Sequence, residues 1–402
     1  MTVELVGMPT PLEDVTIADF SQMTQGGWAT MKLADMDADV LKVEPPWGDL
    51  GRISEPNGKQ LDEVSPWFLS TNRNKRSIAL DLKSDQGREI ALDIVEDADM
   101  LFENFRPGVM EKFGLGYEDV REVSPDIVYV SGYGYGSSGP YVDRPGQDLL
   151  AQAVSGVAAN TGRREDPPTP AGAFICDVYS AMTLALHAMI ALHQKQRTGE
   201  GQKVESSLLN AGIDMQSSEF TAALNMDIEV ERSEAGIGHS MSSAPYGIYE
   251  TWDRHIAISF GQLPTLADEL DVETVCDYES DAETFEHRDE IKRLTEERTR
   301  ERPTDELIEQ LSDAGLWVSD VNDYHEAAAD AQVRHNDMIV EHDHPHGGTF
   351  ETTGVPVSMS AVEPEFDGPP RLGQHSEEIL AELGFDADEI EALAADDVIA
   401  SA

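Results

Sequence analysis

The stretch SIALDLKSDQGREIALDIVEDADMLFENF, residues 77–105, contains an apolar run, a helical pattern and a second apolar run, in that order. The apolar runs Ser77–Leu82 and Met100–Phe105 have the length and composition of strands. Between them, Gln86–Asp97 has apolar residues at helical spacing. A strand, a helix and a strand at this spacing favour a βαβ unit, so the stretch predicts an α/β fold with a parallel sheet.

The same alternation continues on both sides of this stretch. Further strand candidates are Asp14–Phe20, Asp39–Glu44 and Asp126–Gly132, with helical patterns at Trp28–Met36 and Tyr117–Val123. An Ala-, Leu- and Met-rich helix is predicted over residues 178–196, followed by a strand and a helix within Lys203–Gln216.

A change in composition predicts two domains. After about residue 220 the chain becomes dense in charge, and Thr265–Pro303 is typical of the solvated helices of a smaller domain. Later candidates are the strands Met338–Glu341, Phe350–Thr352 and Pro356–Met359 and the helices Ser376–Leu383 and Asp388–Ala394. We therefore expect a large domain from residues 1–220 and 325–402 and a small domain from residues 221–324.

The charge balance excludes two classes of partner. The 402 residues include 28 Lys and Arg against 78 Asp and Glu, a formal net charge of −50. Such a field repels nucleic acids and anionic membranes, so neither is expected as a partner. Only 9 of the basic residues are Lys, and an acid-rich, Lys-poor globular chain is typical of proteins that work in multimolar salt. An ordinary acidic protein is the alternative.

Cysteine content and hydropathy predict a soluble, cytoplasmic protein. Cys176 and Cys276 are too few and too far apart for a disulfide framework or a CxxC metal site. The first residues have neither the basic nor the apolar region of a signal peptide. The longest apolar run, Val178–Leu192, is too short to span a bilayer.

Two familiar patterns do not carry their usual function here. Gly134–Gly139 fits G-x-G-x-x-G, but Pro140 and Pro145 follow where a dinucleotide site needs a helix, which favours a glycine-rich turn. On a strand, His342, His344 and His346 would share a face and could ligate a metal, but Pro345 indicates that the strand is ending. We predict no metal site. The chain contains neither a G-x-S-x-G elbow nor a P-loop.

Scarce basic residues concentrate in Thr71–Lys83. Arg73, Lys75, Arg76 and Lys83 give this segment a positive charge in an acidic chain, which favours an anionic ligand over scattered surface charge.

Asp177 precedes the long apolar helix, and two roles are open. It could cap the helix with its carboxylate. Alternatively, it could be a nucleophilic carboxylate that the helix N-terminus keeps ionised in an apolar setting.

Six short segments carry a more specific signal. They are ADMDADVLKVE (34–44), NRNKRSI (72–78), ENFRPG (103–108), RTGEGQ (197–202), APYG (244–247) and LGQH (372–375). In sequence and in order they resemble the class III CoA-transferase family, the formyl-CoA and carnitine CoA-transferase group. The resemblance implies an interlocked homodimer. Each chain would have a Rossmann-like large domain, built from its N- and C-terminal parts, and a small α+β domain.

The resemblance also implies a mechanism. Asp177 would be the nucleophile, forming an aspartyl anhydride with the acyl group and then an aspartyl-CoA thioester. Coenzyme A (CoA) would enter as the acyl-CoA substrate, with no tightly bound cofactor. The implied CoA contacts are Thr24, Gln25, Leu80, Lys83, Asn104, Phe105, Arg106, Lys112, Arg144 and Gln147. Two departures affect this set: Gln25-Gly26-Gly27 lacks the family's proline, and Pro45 replaces a basic residue.

Within this family resemblance the expected donor is succinyl-CoA and the acceptor a small dicarboxylate such as mesaconate. His239 would bind a distal carboxylate, unless it is a structural residue of the turn at Pro245. An α-methylacyl-CoA racemase of the same fold is the alternative, but Gln147 replaces the histidine base of its Gly-His-Asp triplet. A non-catalytic acyl-CoA binding protein is a further alternative, against which the retained Asp177 argues.

Overall fold

The computed structural model describes residues 10–400 except 229, 260, 273–277, 279 and 363–364, so Cys276 lies outside the described residues. The chain forms two compact units. The first comprises residues 1–151, 174–212 and 331–402, and the second comprises residues 152–173 and 213–330.

Twelve strands form three sheets. They are β1 Thr16–Asp19, β2 Asp39–Glu44, β3 Lys75–Leu80, β4 Met100–Glu103, β5 Val128–Tyr133, β6 Gln202–Ser207, β7 Gly247–Glu250, β8 His255–Ile258, β9 Val318–Asp320, β10 Ile339–Asp343, β11 Thr349–Thr353 and β12 Ile399–Ala400. The first unit holds a seven-stranded sheet of order β12-β3-β2-β1-β4-β5-β6, in which only β12 is antiparallel. The predicted parallel α/β sheet is confirmed.

Nineteen helices are described. They are α1 Met23–Ala34, α2 Leu50–Ile53, α3 Pro66–Leu69, α4 Asp85–Glu96, α5 Val109–Lys112, α6 Tyr117–Val123, α7 Asp148–Ser155, α8 Val157–Asn160, α9 Ile175–Thr198, α10 Leu208–Asp214, α11 Ser217–Asn225, α12 Leu263–Leu270, α13 Asp281–Glu286, α14 Arg288–Thr299, α15 Thr304–Asp313, α16 Tyr324–Ala329, α17 Ala331–His335, α18 Ser376–Glu382 and α19 Ala387–Ala395.

Each face of the large sheet packs against its own helices, because successive strand residues point to opposite sides. On one face, strand residues including Leu41, Val43 and Leu80 pack with apolar residues of α4, α6, α18 and α19. On the other face, Val40 and its neighbours pack with α1 and α9. Because both faces are covered, the central strands β1, β4 and β5 are almost completely buried.

Local sequence explains where several of these elements begin. The Ser84 hydroxyl accepts a hydrogen bond from the Gly87 amide and so caps α4.

The predicted strand Pro356–Met359 is wrong. This segment is a loop whose one strand-like contact is the isolated bridge between Met359 and Val362. Pro356 has no amide hydrogen to donate to a ladder, which explains the difference.

The second unit has its own core and a three-stranded antiparallel sheet, β7-β8-β9. Apolar residues of α12, α14 and α15 pack on this sheet around Tyr249 and Ile256. This unit is the small α+β part of the fold.

Residues 152–173, which the sequence analysis assigned to the large domain, group with the second unit. Arg232 explains this grouping, because its guanidinium donates hydrogen bonds to the carbonyl oxygens of Thr161, Arg164 and Asp166. The other borders fall at 212/213 and 330/331.

By length and composition alone, the helix α9 could cross a membrane. Within the first unit, however, Ala181, Leu184 and Ala188 of α9 are buried in the core beneath the sheet. This burial is typical of the core helix of a soluble protein.

Candidate active site

The strand order reverses between β1 and β4, and this switch point creates a crevice. β1 continues to β2 and β3 on one side, whereas β4 continues to β5 and β6 on the other. The chains leaving β1 and β4 therefore turn in opposite directions, and ligands of open α/β sheets bind in such a crevice. The side chain of Asn104, after β4, bridges the gap: it accepts a hydrogen bond from the Gln22 amide at 2.8 Å and donates one to the Gln22 carbonyl at 2.7 Å.

A cleft of about 630 Å³ opens at this switch point, and all of its lining residues belong to the first unit. It contains eight of the predicted site residues: Thr24, Gln25, Asn104, Phe105, Arg106, Arg144, Gln147 and Asp177. The carboxyl ends of parallel strands meet at one edge of the sheet, which explains why segments so distant in sequence come together here.

Asp177 lies in the first turn of α9, at the third helical position. It does not cap the helix, because Phe174 is the N-cap residue and the capping carboxylate comes from Asp148. Asp148 Oδ1 accepts hydrogen bonds from the amides of Cys176 at 2.8 Å and Asp177 at 3.1 Å. The capping interpretation of Asp177 is therefore wrong, and its carboxylate lines the cleft.

Burial, with a smaller contribution from the Asp148 carboxylate, raises the pKa of Asp177 to about 7. At neutral pH the group is therefore about half ionised and less well hydrated than an exposed carboxylate. The helix N-terminus therefore does not keep Asp177 fully ionised, contrary to the sequence expectation, because burial outweighs it. The ionised form is a poorly hydrated carboxylate, which favours nucleophilic attack.

Gln25 is fixed tightly beside the cleft. Its Nε2 donates a hydrogen bond to Ser180 Oγ of α9 at 2.7 Å. A Cβ atom added at Gly132 would lie 2.6 Å from Gln25 Oε1, so a larger residue there would displace the Gln25 amide. Although the family's proline is absent after Gln25-Gly26-Gly27, α1 still presents Gln25 to the cleft.

The glycine-rich segment after β5 forms one wall of the cleft. No helix follows it until α7, so the turn interpretation agrees with the structure. Gly134 and Gly146 pack so closely that a Cβ atom on Gly134 would lie 2.6 Å from the Gly146 Cα. Between them, the Arg144 guanidinium stacks on the Tyr141 ring at 3.7 Å, and Tyr141 makes an edge contact with Tyr135.

Four predicted contacts lie outside the cleft lining. The Leu80 side chain is fully buried in the sheet core, whereas Lys83 and Lys112 are exposed. His239 belongs to the second unit, where its Nε2 lies 2.5 Å from Glu219 Oε1 and its Nδ1 accepts from the Met241 amide. Hydrogen bonding to His239 keeps the pKa of Glu219 low despite its desolvation.

The basic segment 71–83 does not form an anion site, contrary to the sequence interpretation. Arg73 is buried in a bidentate ion pair with Asp35, and Lys75 is buried against Asp19. Arg76 pairs with Asp39 and with two glutamates of α18. The carboxylate partners of these three cations are 36 or more residues away in sequence, so the local pattern could not reveal them.

Two of the three histidines near residue 344 contact backbone carbonyl groups of a distant loop. His344 Nε2 and His346 Nδ1 lie 3.1 and 2.9 Å from the carbonyl oxygens of Leu61 and Asp62. Among the described residues, no group of three His, Cys, Asp or Glu side chains is arranged to hold a metal ion. Only His342 lies on a strand, β10, so the three side chains do not alternate on one strand.

Sequence reasoning missed part of the cleft. In the sequence, Asp148 stood out only as the residue after Gln147. Its role as the cap of α9 could not be predicted, because the fold brings it to the Cys176 amide. Trp67 and Phe174 line the cleft with their rings 5.9 Å apart, but neither belongs to a motif that marks a site.

Comparison with known proteins agrees with the family resemblance of the six sequence segments. The family model "CoA-transferase family III" matches residues 12–376. A human succinyl-CoA:glutarate CoA-transferase is 33% identical over 381 residues, covering 93% of this chain and 86% of the relative. A succinyl-CoA:mesaconate CoA-transferase of Haloarcula hispanica is 33% identical over 386 residues, covering 93% and 96%. The crystal structure of a CAIB/BAIF family protein from Brucella suis matches with a TM-score of 0.84 and 28% identity, covering 94% and 100%.

Proposed function

The chain belongs to CoA-transferase family III, and from this premise we propose that it moves CoA from succinyl-CoA to a small dicarboxylate through covalent intermediates on Asp177. The single observation that carries the proposal is the Asp177 carboxylate. It lies in the first turn of α9, lines the switch-point cleft and has a pKa raised by burial to about 7.

The proposed reaction balances without any other reactant. The Asp177 carboxylate attacks the thioester carbonyl of the donor, which forms a mixed anhydride and releases CoA thiolate. The thiolate attacks the aspartyl carbonyl of the anhydride, giving an aspartyl-CoA thioester and the free donor acid. The acceptor carboxylate then attacks this thioester, forming a second anhydride and again releasing CoA thiolate. Attack of the thiolate on the acceptor's carbonyl yields the new acyl-CoA and restores Asp177.

The basic residues in and near the cleft support the binding of an anionic substrate such as acyl-CoA. Arg106 and Arg144 line the cleft, and neither forms an ion pair with a carboxylate among the described residues. The same holds for Lys83 and Lys112 on the surface of this unit. In a chain with 78 acidic residues, four cations without carboxylate partners are suited to the phosphates of CoA.

The names of the relatives support the substrate class. The human and Haloarcula hispanica relatives are named for succinyl-CoA as donor and for a dicarboxylate, glutarate or mesaconate, as acceptor. We therefore propose a dicarboxylate acceptor for this chain, with mesaconate as the first choice. Within the second unit, His239 stays a prediction as a carboxylate contact, and its imidazole is held by Glu219.

The racemase alternative gains no support from the cleft. Among the described residues that line it there is no histidine, and Gln147 has no basic nitrogen near neutral pH. A base partner for Asp177 in α-proton removal is therefore missing from this set.

We also propose that two copies of the chain associate. Met182, Leu186 and Ile190 form an apolar stripe along α9, and each of these side chains is about half exposed in the single chain. A stripe at this spacing is suited to burial against a second copy. Sedimentation of the protein in molar KCl should then give a dimer, and a monomer at micromolar concentration would contradict it.

A transfer assay tests the function. With succinyl-CoA as donor, we expect mesaconate or glutarate to be used with a kcat/KM at least about tenfold above acetate or butyrate, a difference of about 1.4 kcal/mol. Asp177→Asn should abolish transfer but still bind CoA. Equal use of monocarboxylates would contradict the dicarboxylate proposal, and transfer by Asp177→Asn would contradict the role of Asp177.

A further inference from the structure

Glu103 is a buried carboxyl group that the proposed reaction does not use. It is the last residue of β4, opposite Ser131 of β5, and its side chain is 5% exposed. The next three residues, Asn104, Phe105 and Arg106, all line the cleft. Glu103 therefore stands where the chain leaves the sheet to form the proposed CoA-binding segment, which we define as Asn104–Arg106.

One hydrogen bond connects Glu103 to this segment. Its Oε2 accepts from the Phe105 amide at 2.9 Å, a side-chain-to-backbone contact two residues along that closes a turn. Asn104 is held independently by its two bonds to Gln22. Two successive side chains thus fix the segment, Asn104 across the switch point and Glu103 from the sheet.

The groups around Glu103 come from four elements that pack near it. Glu103 shares a small cavity with Arg106 of its own segment, Glu111 of α5, Tyr117 of α6, Tyr129 and Tyr133 of β5 and Lys203 of β6. Lys203 is paired with Glu205 at 2.8 Å. Burial raises the pKa of Tyr133 to about 12 and also raises that of Tyr129, so these phenols stay neutral.

Burial also raises the pKa of Glu103 to about 7, so this carboxyl group changes its charge near neutral pH. A hydrogen bond to a carboxylate is roughly twice as strong as one to a neutral acceptor. The bond to the Phe105 amide therefore weakens when Glu103 becomes protonated.

We infer that Glu103 is a positioning residue for CoA: its carboxylate fixes the turn of Asn104–Arg106, and the charged form of Glu103 binds CoA more tightly than the neutral form. The inference rests on the proposed function, since it assumes that this segment contacts CoA. Glu103 acts through Phe105 and its neighbours and does not itself line the cleft.

Calorimetric titration with CoA itself, between pH 6 and pH 8.5, tests the inference. All measurements use the Asp177→Asn background, so that ionisation of Asp177 does not contribute. With Glu103 intact, we expect the Kd for CoA to fall about tenfold as the pH rises through 7. Adding Glu103→Gln keeps an acceptor oxygen but removes the titration of residue 103, so the fall in Kd should shrink to the part that the CoA phosphate contributes. The phosphate of CoA titrates near pH 6 in every variant, so its effect cancels in the ratio between variants.

Glu111→Gln is the matched control, because Glu111 faces the same cavity, is exposed, and forms no hydrogen bond to the segment among the described contacts. It should keep the pH dependence with a slightly lower midpoint, because the charge of Glu111 contributes to the raised pKa of Glu103. A ratio of Kd values between the Glu103→Gln variant and the protein with Glu103 intact that stays constant from pH 6 to pH 8.5 would overturn the inference, as would loss of the tenfold fall in the Glu111→Gln control. Absence of CoA binding at every pH with Glu103 intact would contradict the proposed function instead.

Discussion

At the scale of single residues, the two acidic groups at the start of α9 have different roles. Asp148 is 5% exposed and caps the helix, whereas Asp177 lines the cleft. The negative charge of Asp148 helps to raise the pKa of Asp177, after burial. Because only the ionised Asp177 can attack a thioester, we expect kcat to rise with pH and to reach half its plateau near pH 7.

Asp148→Asn should move this midpoint down by about 0.5–1 pH unit, because it removes a like charge but keeps an oxygen that accepts from Cys176 and Asp177. The measurement is kcat against pH under saturating succinyl-CoA. Asp143→Asn, an exposed change in the wall segment, is the control and should leave the midpoint in place. If the midpoint does not change in Asp148→Asn, the charge of Asp148 does not affect the pKa of Asp177.

Ionised Asp177 should also lower the free energy of unfolding at the pH at which it acts as nucleophile. Its pKa is raised in the folded state, to about 7 from 3.8, so the folded protein binds more protons between these values and loses stability as the pH rises through them. Asp177→Asn should therefore be more stable than the parent at pH 8, by about 1–3 kcal/mol, and nearly equal at pH 4. Denaturant unfolding at both pH values measures this, and an equal gain at both would argue against the raised pKa.

At the scale of elements, buried ion pairs connect neighbouring parts of the large sheet. Lys75 of β3 reaches Asp19 at the end of β1 at 3.0 Å, and its Nζ also donates to Asn72 Oδ1 and the Gly27 carbonyl. Lys42 of β2 pairs with Asp49 at 2.9 Å, and Asp49 accepts from the Met23 amide just before the cleft residues of α1. These contacts form the base beneath the cleft.

Lys75→Met should destabilise the protein by about 3–5 kcal/mol, because Asp19 would remain buried without its nearest cation. Lys59→Met, which removes an exposed lysine, should cost less than about 0.5 kcal/mol. Unfolding in denaturant at fixed salt compares the two variants. A loss of less than 1 kcal/mol in Lys75→Met would mean that Asp19 finds another partner, such as Lys42.

The elements also show what the sequence could predict. The parallel strands were predictable, because hydrophobic patterns reveal strands. The cleft residues at their ends were implied by the family resemblance. The roles of Arg73 and Lys75 were not, since their partners Asp35 and Asp19 are far away in sequence. Asp177 could be identified through the family resemblance, but its raised pKa depends on burial and on Asp148.

At the scale of the whole molecule, we propose that the net charge of −50 is an adaptation to high salt. At low ionic strength this charge repels both CoA and a second copy of the chain. Near 1 M salt the Debye length falls to about 3 Å, so that contacts with nearby cations decide binding.

The KM for succinyl-CoA should therefore fall, and the dimer should become more stable, as KCl rises from about 0.1 M towards 2 M. This is the reverse of the usual salt dependence of a phosphate-binding protein. Steady-state kinetics and sedimentation across a KCl series measure both effects. A KM that climbs steadily with salt, together with a dimer intact at low salt, would refute the salt adaptation.

The central claim is that Asp177 carries the reaction covalently, and trapping the intermediate tests it most directly. The protein is incubated with succinyl-CoA and no acceptor, treated with hydroxylamine, digested and analysed by mass spectrometry. We expect a hydroxamate on the peptide that contains Asp177, absent without succinyl-CoA and absent in Asp177→Asn. An unmodified Asp177 peptide, recovered from protein that transfers CoA at full rate in the same preparation, would contradict the account.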